Sequence, residues 1–399
     1  MKSQNILKSV LREITPTQEE KEELNLIFEY VRKHLLTFFK EDVRVELQGS
    51  TVKGTSLKGS SDLDIFIIFQ TDFLEENFKT LVNDLKEYLP QIGLDVDLRY
   101  ASHPYIHSTY KGIDIDIVPC YDILKGENIR SAVDRTVWHT QFVRENLTTK
   151  QKNEVRLLKQ FLKANGLYGA SEKAHGFSGY LCELLIWKYG TFLKVLETEI
   201  HDWRDIVHNP IHFPDPVDEN RNVAAALSFE SYTKFIFAAR QFLENPTKEA
   251  FDIGQEVKFD LKRFEDQVYE NDTEGYVIKF ENISDNEEIL YSKAEKFVKN
   301  ITRLIKQHDF RLFNIQFYVG GHDIIITIQT EINTLPNYKI VKGPNIYMYR
   351  EFWNEFIKKH GIENVFVKKD RIMAVSERKY QLVYNLLKDN CENVTTIFK

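Results

Sequence analysis

Cysteine is scarce. Cys120, Cys182 and Cys391 are the only three in 399 residues. They are odd in number and widely separated, so they form neither a disulfide framework nor a zinc-ligand spacing, and a reducing cytoplasm is the expected compartment. Long apolar runs are also missing. The opening stretch MKSQNILKSVLREITPTQEEKEEL contains no apolar segment of signal-peptide length. No later run approaches the roughly 18 residues needed to cross a bilayer, so neither export nor membrane insertion is expected. There is no internal repeat and no low-complexity tract. General disorder is excluded by what is present: 42% apolar residues and 13% aromatics, with 28 Phe and 19 Tyr, ample material for large cores. The length predicts one to three domains.

The net charge of −7 argues against a nucleic-acid partner until the charge is located. Residues 291–399 carry 18 Lys/Arg against 11 Asp/Glu, whereas the preceding 290 carry 35 against 49. The C-terminal quarter can therefore face a phosphate backbone while the rest stays acidic. Uneven charge on a solvated surface gives the same count, so charge permits nucleic acid without requiring it.

Apolar spacing predicts an amphipathic helix over 18–40, with Leu24, Ile27, Phe28, Val31, Leu35 and Phe38 on its inner face. Next come a strand at Val43–Leu47, a Gly/Ser turn with a short helix, and a strongly apolar strand at Leu63–Phe69. A helix near Phe73–Tyr88 and strands around Val96–Tyr100 and Ile113–Val118 complete an α/β part, 1–145. A helical part, 146–262, follows, interrupted by the proline-rich loop IHFPDPVDENRN. An α+β part, 263–399, ends the chain. The expected fold class is α+β multidomain.

The chemistry is concentrated in LQGSTVKGTSLKGSSDLDIFIIF. Gly49 and Ser50 stand where a strand turns into a helix, and Asp62 and Asp64 open the apolar strand that follows. Strand side chains alternate, so both carboxylates point to one side. Held that close they repel, and a cation between them relieves the repulsion. Mg²⁺ prefers carboxylate oxygens completed by substrate phosphates, so the pair suits two metal ions roughly 3.5–4 Å apart. Gly49 lets backbone approach a phosphate, and Ser50 with the helix-start amides can donate to its oxygens. A third carboxylate is needed, and the strand KGIDIDIVPCY offers Asp114 or Asp116. Alone, such a strand is more often a solvated face, and Gly-Ser alone is only a turn. The conjunction of strand, Gly-Ser, helix, Asp-x-Asp strand and second carboxylate strand points to catalysis.

With these motifs in place, the chain resembles the DNA polymerase β-like nucleotidyltransferases, and within them the class I, archaeal-type CCA-adding enzymes. HPYIHSTYKGIDIDIVPCY, VDRTVWHTQFV, LLKQFLKANGLYGASEKAHGFSGYLCELLI and DPVDENRNVAAALS look like successive blocks of that family. The last two blocks are narrow signals; the Asp-x-Asp motif is shared by many transferases. The resemblance implies a polymerase β-like nucleotidyltransferase head, a helical central domain binding nucleotide and primer, and an α+β body and tail binding tRNA. It chooses Asp116 over Asp114, so that Asp62, Asp64 and Asp116 hold the metals, two Mg²⁺ with Mn²⁺ as the alternative.

The resemblance also assigns Lys159 and Tyr168 to the incoming triphosphate, joined by Ser50 and Thr136. His103 falls beside the triphosphate, although the acidic residue that often precedes it in the family is Ser102 here. Arg221 becomes the reader of the incoming base, with Asp218 bracing its loop. On the helix Lys150–Asn165, Arg156 and Lys163 share a basic face with Lys159, read as solvated or as phosphate-facing. The segment KGPNIYMYREFWNEFIKKHGIENVFVKKD interleaves basic and aromatic residues, by itself a pattern of an amphipathic helix; the resemblance makes it a patch holding tRNA by its backbone.

The implied activity is template-independent addition of C, C and A to tRNA lacking all or part of its CCA end, using CTP and ATP, with a homodimer admitted. The competing readings are a nucleotidyltransferase acting on another RNA, a protein or a small molecule, and a non-catalytic RNA-binding relative.

Overall fold

The computed structural model describes residues 2–40, 42–60, 62–100, 104–123, 133–171, 173–198, 210–254, 258–331 and 334–397. His103, one of the expected nucleotide contacts, lies outside the described residues, as does Ser102. The chain divides into two compact units, Met1–Gly254 and Gln255–Lys399.

The first unit opens with α1 (Lys2–Ile14) and α2 (Gln18–Phe38). Thr17 starts α2 with a reciprocal capping box: its hydroxyl accepts from the Glu20 amide, and the Glu20 carboxylate accepts from the Thr17 amide. Next come β1 (Arg44–Gln48), α3 (Gly49–Lys53), β2 (Leu63–Phe69), α4 (Glu75–Tyr88), β3 (Asp95–Tyr100), β4 (Pro104–Tyr110) and β5 (Ile113–Tyr121). The five strands form one sheet in the order β1-β2-β5-β4-β3. Only β2 and β5 pair in parallel; the other pairings are antiparallel. The core beneath the sheet takes Leu63, Ile65, Ile67, Ile115 and Ile117, packed against Leu24, Ile27, Val31 and Leu35 of α2 and Phe78, Val82 and Leu85 of α4. Alternation along β2 and β5 thus sends isoleucine inward and aspartate outward.

A second core in the same unit is helical. It joins α5 (Arg135–Asn146), α6 (Thr149–Ala164), α7 (Gly179–Tyr189), α8 (Phe192–Glu197) and α9 (Phe229–Glu244) through residues such as Leu158, Phe161, Leu185, Phe192 and Phe242. Val10 and Ile14 of α1 belong to this core. The proline-rich loop is in fact a two-stranded hairpin, β6 (Pro214–Asp215) with β7 (Asp218–Asn222).

The second unit holds α10 (Leu261–Glu270), β8 (Glu274–Phe280), α11 (Glu287–Gln307), β9 (Leu312–Gly320), β10 (Asp323–Thr330), β11 (Tyr338–Asn345), α12 (Arg350–His360), β12 (Val365–Lys368), β13 (Arg371–Glu377), α13 (Val383–Asn390) and β14 (Val394–Ile397). A four-stranded sheet, β14-β8-β10-β9, packs on α11 and α13 through Ile278, Ile326, Ile301, Ile305 and Leu387. A three-stranded sheet, β11-β13-β12, carries α12, which fully buries none of its residues. Tyr347 and Tyr349, just ahead of α12, are exposed. The aromatic stripe is therefore not a sealed core face. No helix among the described residues is long and apolar enough to cross a membrane. The molecule is α+β and multidomain.

Candidate active site

Cross-strand partners on adjacent strands share a face of the sheet. One such row runs Gln48, Asp64, Asp116, His107, Asp97 across all five strands. Asp64 and Asp116 are therefore direct neighbours, and Asp62 stands just ahead of β2. His107 Nδ1 lies 2.8 Å from Asp116 Oδ1 and fixes that carboxylate. Asp114, the alternative left open by the alternation, accepts instead from the Thr109 hydroxyl at 3.2 Å and is exposed.

Gly49 completes this arrangement. Its φ is +72°, and a Cβ there would lie 1.7 Å from Asp64 Oδ2. Only glycine permits both the left-handed turn and the close approach of backbone to the carboxylate. Burial first, then the charges of Asp116 and Asp62, push the Asp64 carboxyl up to about 6. Asp62 is raised by burial and by Asp114 and Asp116, with Lys163 and His107 opposing. The group is an anion cluster short of positive charge. Among the described residues no three His, Cys, Asp or Glu side chains form a ready-made metal cage. A hard cation takes part of its oxygen shell from a phosphorylated substrate. The all-oxygen donor set and the repulsion it stores fit a divalent metal.

Behind Gly49 and Ser50 the charge inverts. Glu183, buried to 1% exposure, accepts from Lys53 Nζ at 2.9 Å and from the Thr55 hydroxyl at 2.5 Å, and Lys159 Nζ lies 3.4 Å away. Burial opposes charge on Glu183, but Lys53, Lys159 and the hydroxyl hold its carboxyl below the usual range. One carboxylate serves two ammonium groups, so a buried positive charge is left over for an anion. Lys159 and Tyr168 meet over Gly179: a Cβ there would lie 2.9 Å from the Tyr168 hydroxyl and 3.6 Å from Lys159 Nζ.

Arg156 is neither solvated nor phosphate-facing. It is buried and donates to the carbonyls of Gly54 and Ser56 at 2.7 and 2.9 Å, tying α6 to the turn after α3. Lys163 donates to the Ser60 hydroxyl at 3.0 Å. Thr136 occupies the first turn of α5. Neighbouring Arg135 donates to Asp218 at 2.8 Å, bracing the β6–β7 hairpin. Arg221 on β7 donates to the fully buried Asp215 at 2.9 Å.

Sequence reasoning passed over Lys53, Glu183, His107 and Asp215. The missed signal was clearest for Glu183, a lone acid in the apolar run YLCELLIW, which requires buried partners.

Three family models match the chain: a nucleotidyltransferase domain over 29–139, the second domain of tRNA nucleotidyltransferase over 153–252, and the C-terminal domain of CCA-adding enzyme over 272–397. A CCA-adding enzyme of Methanocaldococcus jannaschii is 35% identical, over 98% of this chain and 92% of the relative. One of Saccharolobus islandicus is also 35% identical, over 96% and 92%. One of Methanococcus maripaludis is 36% identical, over 96% and 90%. Among solved structures, the Cid1 poly(U) polymerase bound to magnesium and 3′-dATP superposes with a TM-score of 0.51 at 14% identity, over 63% of this chain and 98% of that one. That likeness is one of fold.

Proposed function

The chain belongs to the archaeal-type CCA-adding enzymes, template-independent nucleotidyltransferases that complete tRNA with C, C and A from CTP and ATP, and on that premise we propose how its residues divide the work. The observation that carries the proposal is the Asp64–Asp116 pair on neighbouring parallel strands, with Gly49 pressed against Asp64 and Asp62 at the strand mouth.

Enzymes of this family use divalent metal ions; here Asp62, Asp64 and Asp116 are the ligands, for two Mg²⁺. When bound, the metal lowers the pKa of the primer hydroxyl and neutralises charge on the triphosphate. His107 keeps Asp116 in one orientation. Gly49 allows the triphosphate close to the backbone, and Ser50 and Thr136 donate to its oxygens. Lys159 and Tyr168 receive the same group from the opposite wall, where the excess buried positive charge favours an anion. The primer 3′-oxygen bonds to the α-phosphorus, the bond to the β-phosphate bridge breaks, and pyrophosphate leaves. Arg221 offers its remaining N–H groups to acceptors that cytosine and adenine present in similar places. Labour divides among a catalytic head (1–145), a helical nucleotide and primer domain (146–262) and a tRNA-holding remainder (263–399). The basic residues around α12 meet the tRNA backbone, in the cytoplasm.

The test uses tRNA transcripts ending at the discriminator base, at C and at CC, supplied with each nucleotide singly in the presence of Mg²⁺. CTP should extend the first two to CC and ATP should complete the third, with GTP and UTP inert. Asp62→Ala and Asp64→Ala should each abolish transfer while the protein stays folded. Appreciable residual transfer by either would remove the carboxylates from the mechanism.

A further inference from the structure

We infer that Asp215 is the positioning residue on which nucleotide choice depends, because it locks the guanidinium of Arg221 in one place. The inference rests on the reading of Arg221 as the group that meets the incoming base.

Asp215 has no exposed surface, and both its oxygens are occupied. Oδ2 accepts from Arg221 Nη1 and from His139 Nε2, each at 2.9 Å. Oδ1 accepts from the Tyr180 hydroxyl at 3.0 Å and from the Val217 amide at 3.1 Å. An ionised carboxylate only accepts, so the proton of a neutral His139 sits on Nε2. Burial opposes charge on Asp215, yet His139, the Val217 amide and Arg221 together hold its pKa at about 2. Burial lowers the pKa of His139. His139 donates to the carboxylate through Nε2, and Arg221 supplies a countercharge.

The four donors come from three places: His139 from α5, Tyr180 from α7, and Arg221 and Val217 from the hairpin. A carboxylate with one free oxygen could rotate; this one cannot without breaking bonds to two elements. The His139 ring is stacked on Tyr180 at 3.8 Å and 24°, which stiffens the mount. Arg221 is held by one N–H, its side chain is 34% exposed, and its other donors have no partner among the described residues. The Tyr180 ring also lies 5.3 Å from Lys53 Nζ, which bonds Glu183 beside Lys159. The base-facing guanidinium and the triphosphate-facing ammonium groups thus share one continuous framework.

Selection by hydrogen bonding requires donors that cannot follow the wrong acceptor. An unanchored arginine, with its several rotatable bonds, would swing to meet any base edge. Loss of the anchor should therefore erode discrimination more than turnover.

The experiment measures kcat/KM for CTP, UTP, ATP and GTP on the matching tRNA ends for wild type, Arg221→Ala, Asp215→Asn, Tyr180→Phe and the double variant Asp215→Asn/Arg221→Ala, with thermal melting of each. Asp215→Asn should lower the CTP-over-UTP and ATP-over-GTP ratios by about tenfold or more, with a smaller loss of kcat on the correct nucleotide. Tyr180→Phe, which removes one of the two bonds to Oδ1 and keeps the ring, should shift the ratios several-fold in the same direction. The double variant should discriminate no worse than Arg221→Ala alone, because both act through one group. If Arg221→Ala keeps wild-type ratios, the base-reading assignment itself is wrong. If Arg221→Ala loses them while a folded Asp215→Asn keeps them, or the double variant loses the product of the single effects, Asp215 does not act through Arg221. Should Asp215→Asn not fold, wild-type ratios in Tyr180→Phe overturn the inference.

Discussion

Asp64 opposes its own fold. Its carboxyl has a pKa of about 6 in the folded chain against 3.8 unexposed to these neighbours, so folding favours the protonated form. The corresponding destabilisation is full above pH 6, where the group is charged in both states, and vanishes below 3.8, where it is neutral in both. By linkage it amounts to on the order of 2–3 kcal/mol at neutral pH. Asp64→Asn should therefore raise the denaturation midpoint in EDTA at pH 7.5 while abolishing transfer, and most of the gain should be gone at pH 4. An unchanged midpoint at pH 7.5 would mean the carboxylates do not strain the metal-free protein. Gly49 predicts the reverse trade. Gly49→Ala drives a methyl group into Asp64 Oδ2 at a backbone φ of +72°, and the misplaced carboxylate should cost about 100-fold in kcat. Single-turnover transfer on tRNA ending in CC reads this directly; a rate within threefold of wild type would show that the close approach is unnecessary.

At the scale of elements, α6 fastens the two cores of the first unit together. Arg156 donates from its middle to Gly54 and Ser56, so removing the side chain leaves two carbonyls without their partner. Arg156→Ala should lower stability by about 2–4 kcal/mol in urea unfolding. Arg156→Lys should not restore it, since one ammonium lacks the fork that reaches both carbonyls; full recovery by lysine would reduce Arg156 to a charge. In the sequence this arginine looks like any other on a basic helix face. That is the general pattern of what was legible. β2 and β5 announced themselves by isoleucine–aspartate alternation, and α2 by periodicity. Asp64 followed from the same alternation, which left Asp114 and Asp116 open until the family resemblance chose Asp116. β4 was hidden because Pro104 and Ser108 share the face of Ile106 and His107 stands on the opposite, carboxylate face, leaving no clean apolar alternation. α5 was hidden because it buries His139 and Thr140 and thus lacks a clean apolar stripe. Lys53 and Glu183 went unnoticed in the sequence, and only the fold reveals that they share a buried site with Lys159.

For the whole molecule, the charge asymmetry makes a quantitative claim. An acidic chain that holds tRNA through a basic minority of its surface should bind it with a strong salt dependence, because each neutralised phosphate releases a counterion. Lys358→Gln/Lys359→Gln should weaken tRNA binding at 0.1 M salt and lower the slope of log Kd against log salt by roughly one to two; an unaltered slope would move the phosphate contacts away from α12. The pairing of β2 with β5 carries a different consequence. A strand has period two, so sliding β2 by a single residue against its partner would set an isoleucine where Asp64 belongs and push a carboxylate into the core. No intermediate register yields a weak enzyme. Molecules whose sheet has closed correctly possess the carboxylate row entire, and the others lack it. Titrated active sites therefore count the correctly closed sheets in a preparation, and catalysis becomes a proofreading signal for folding.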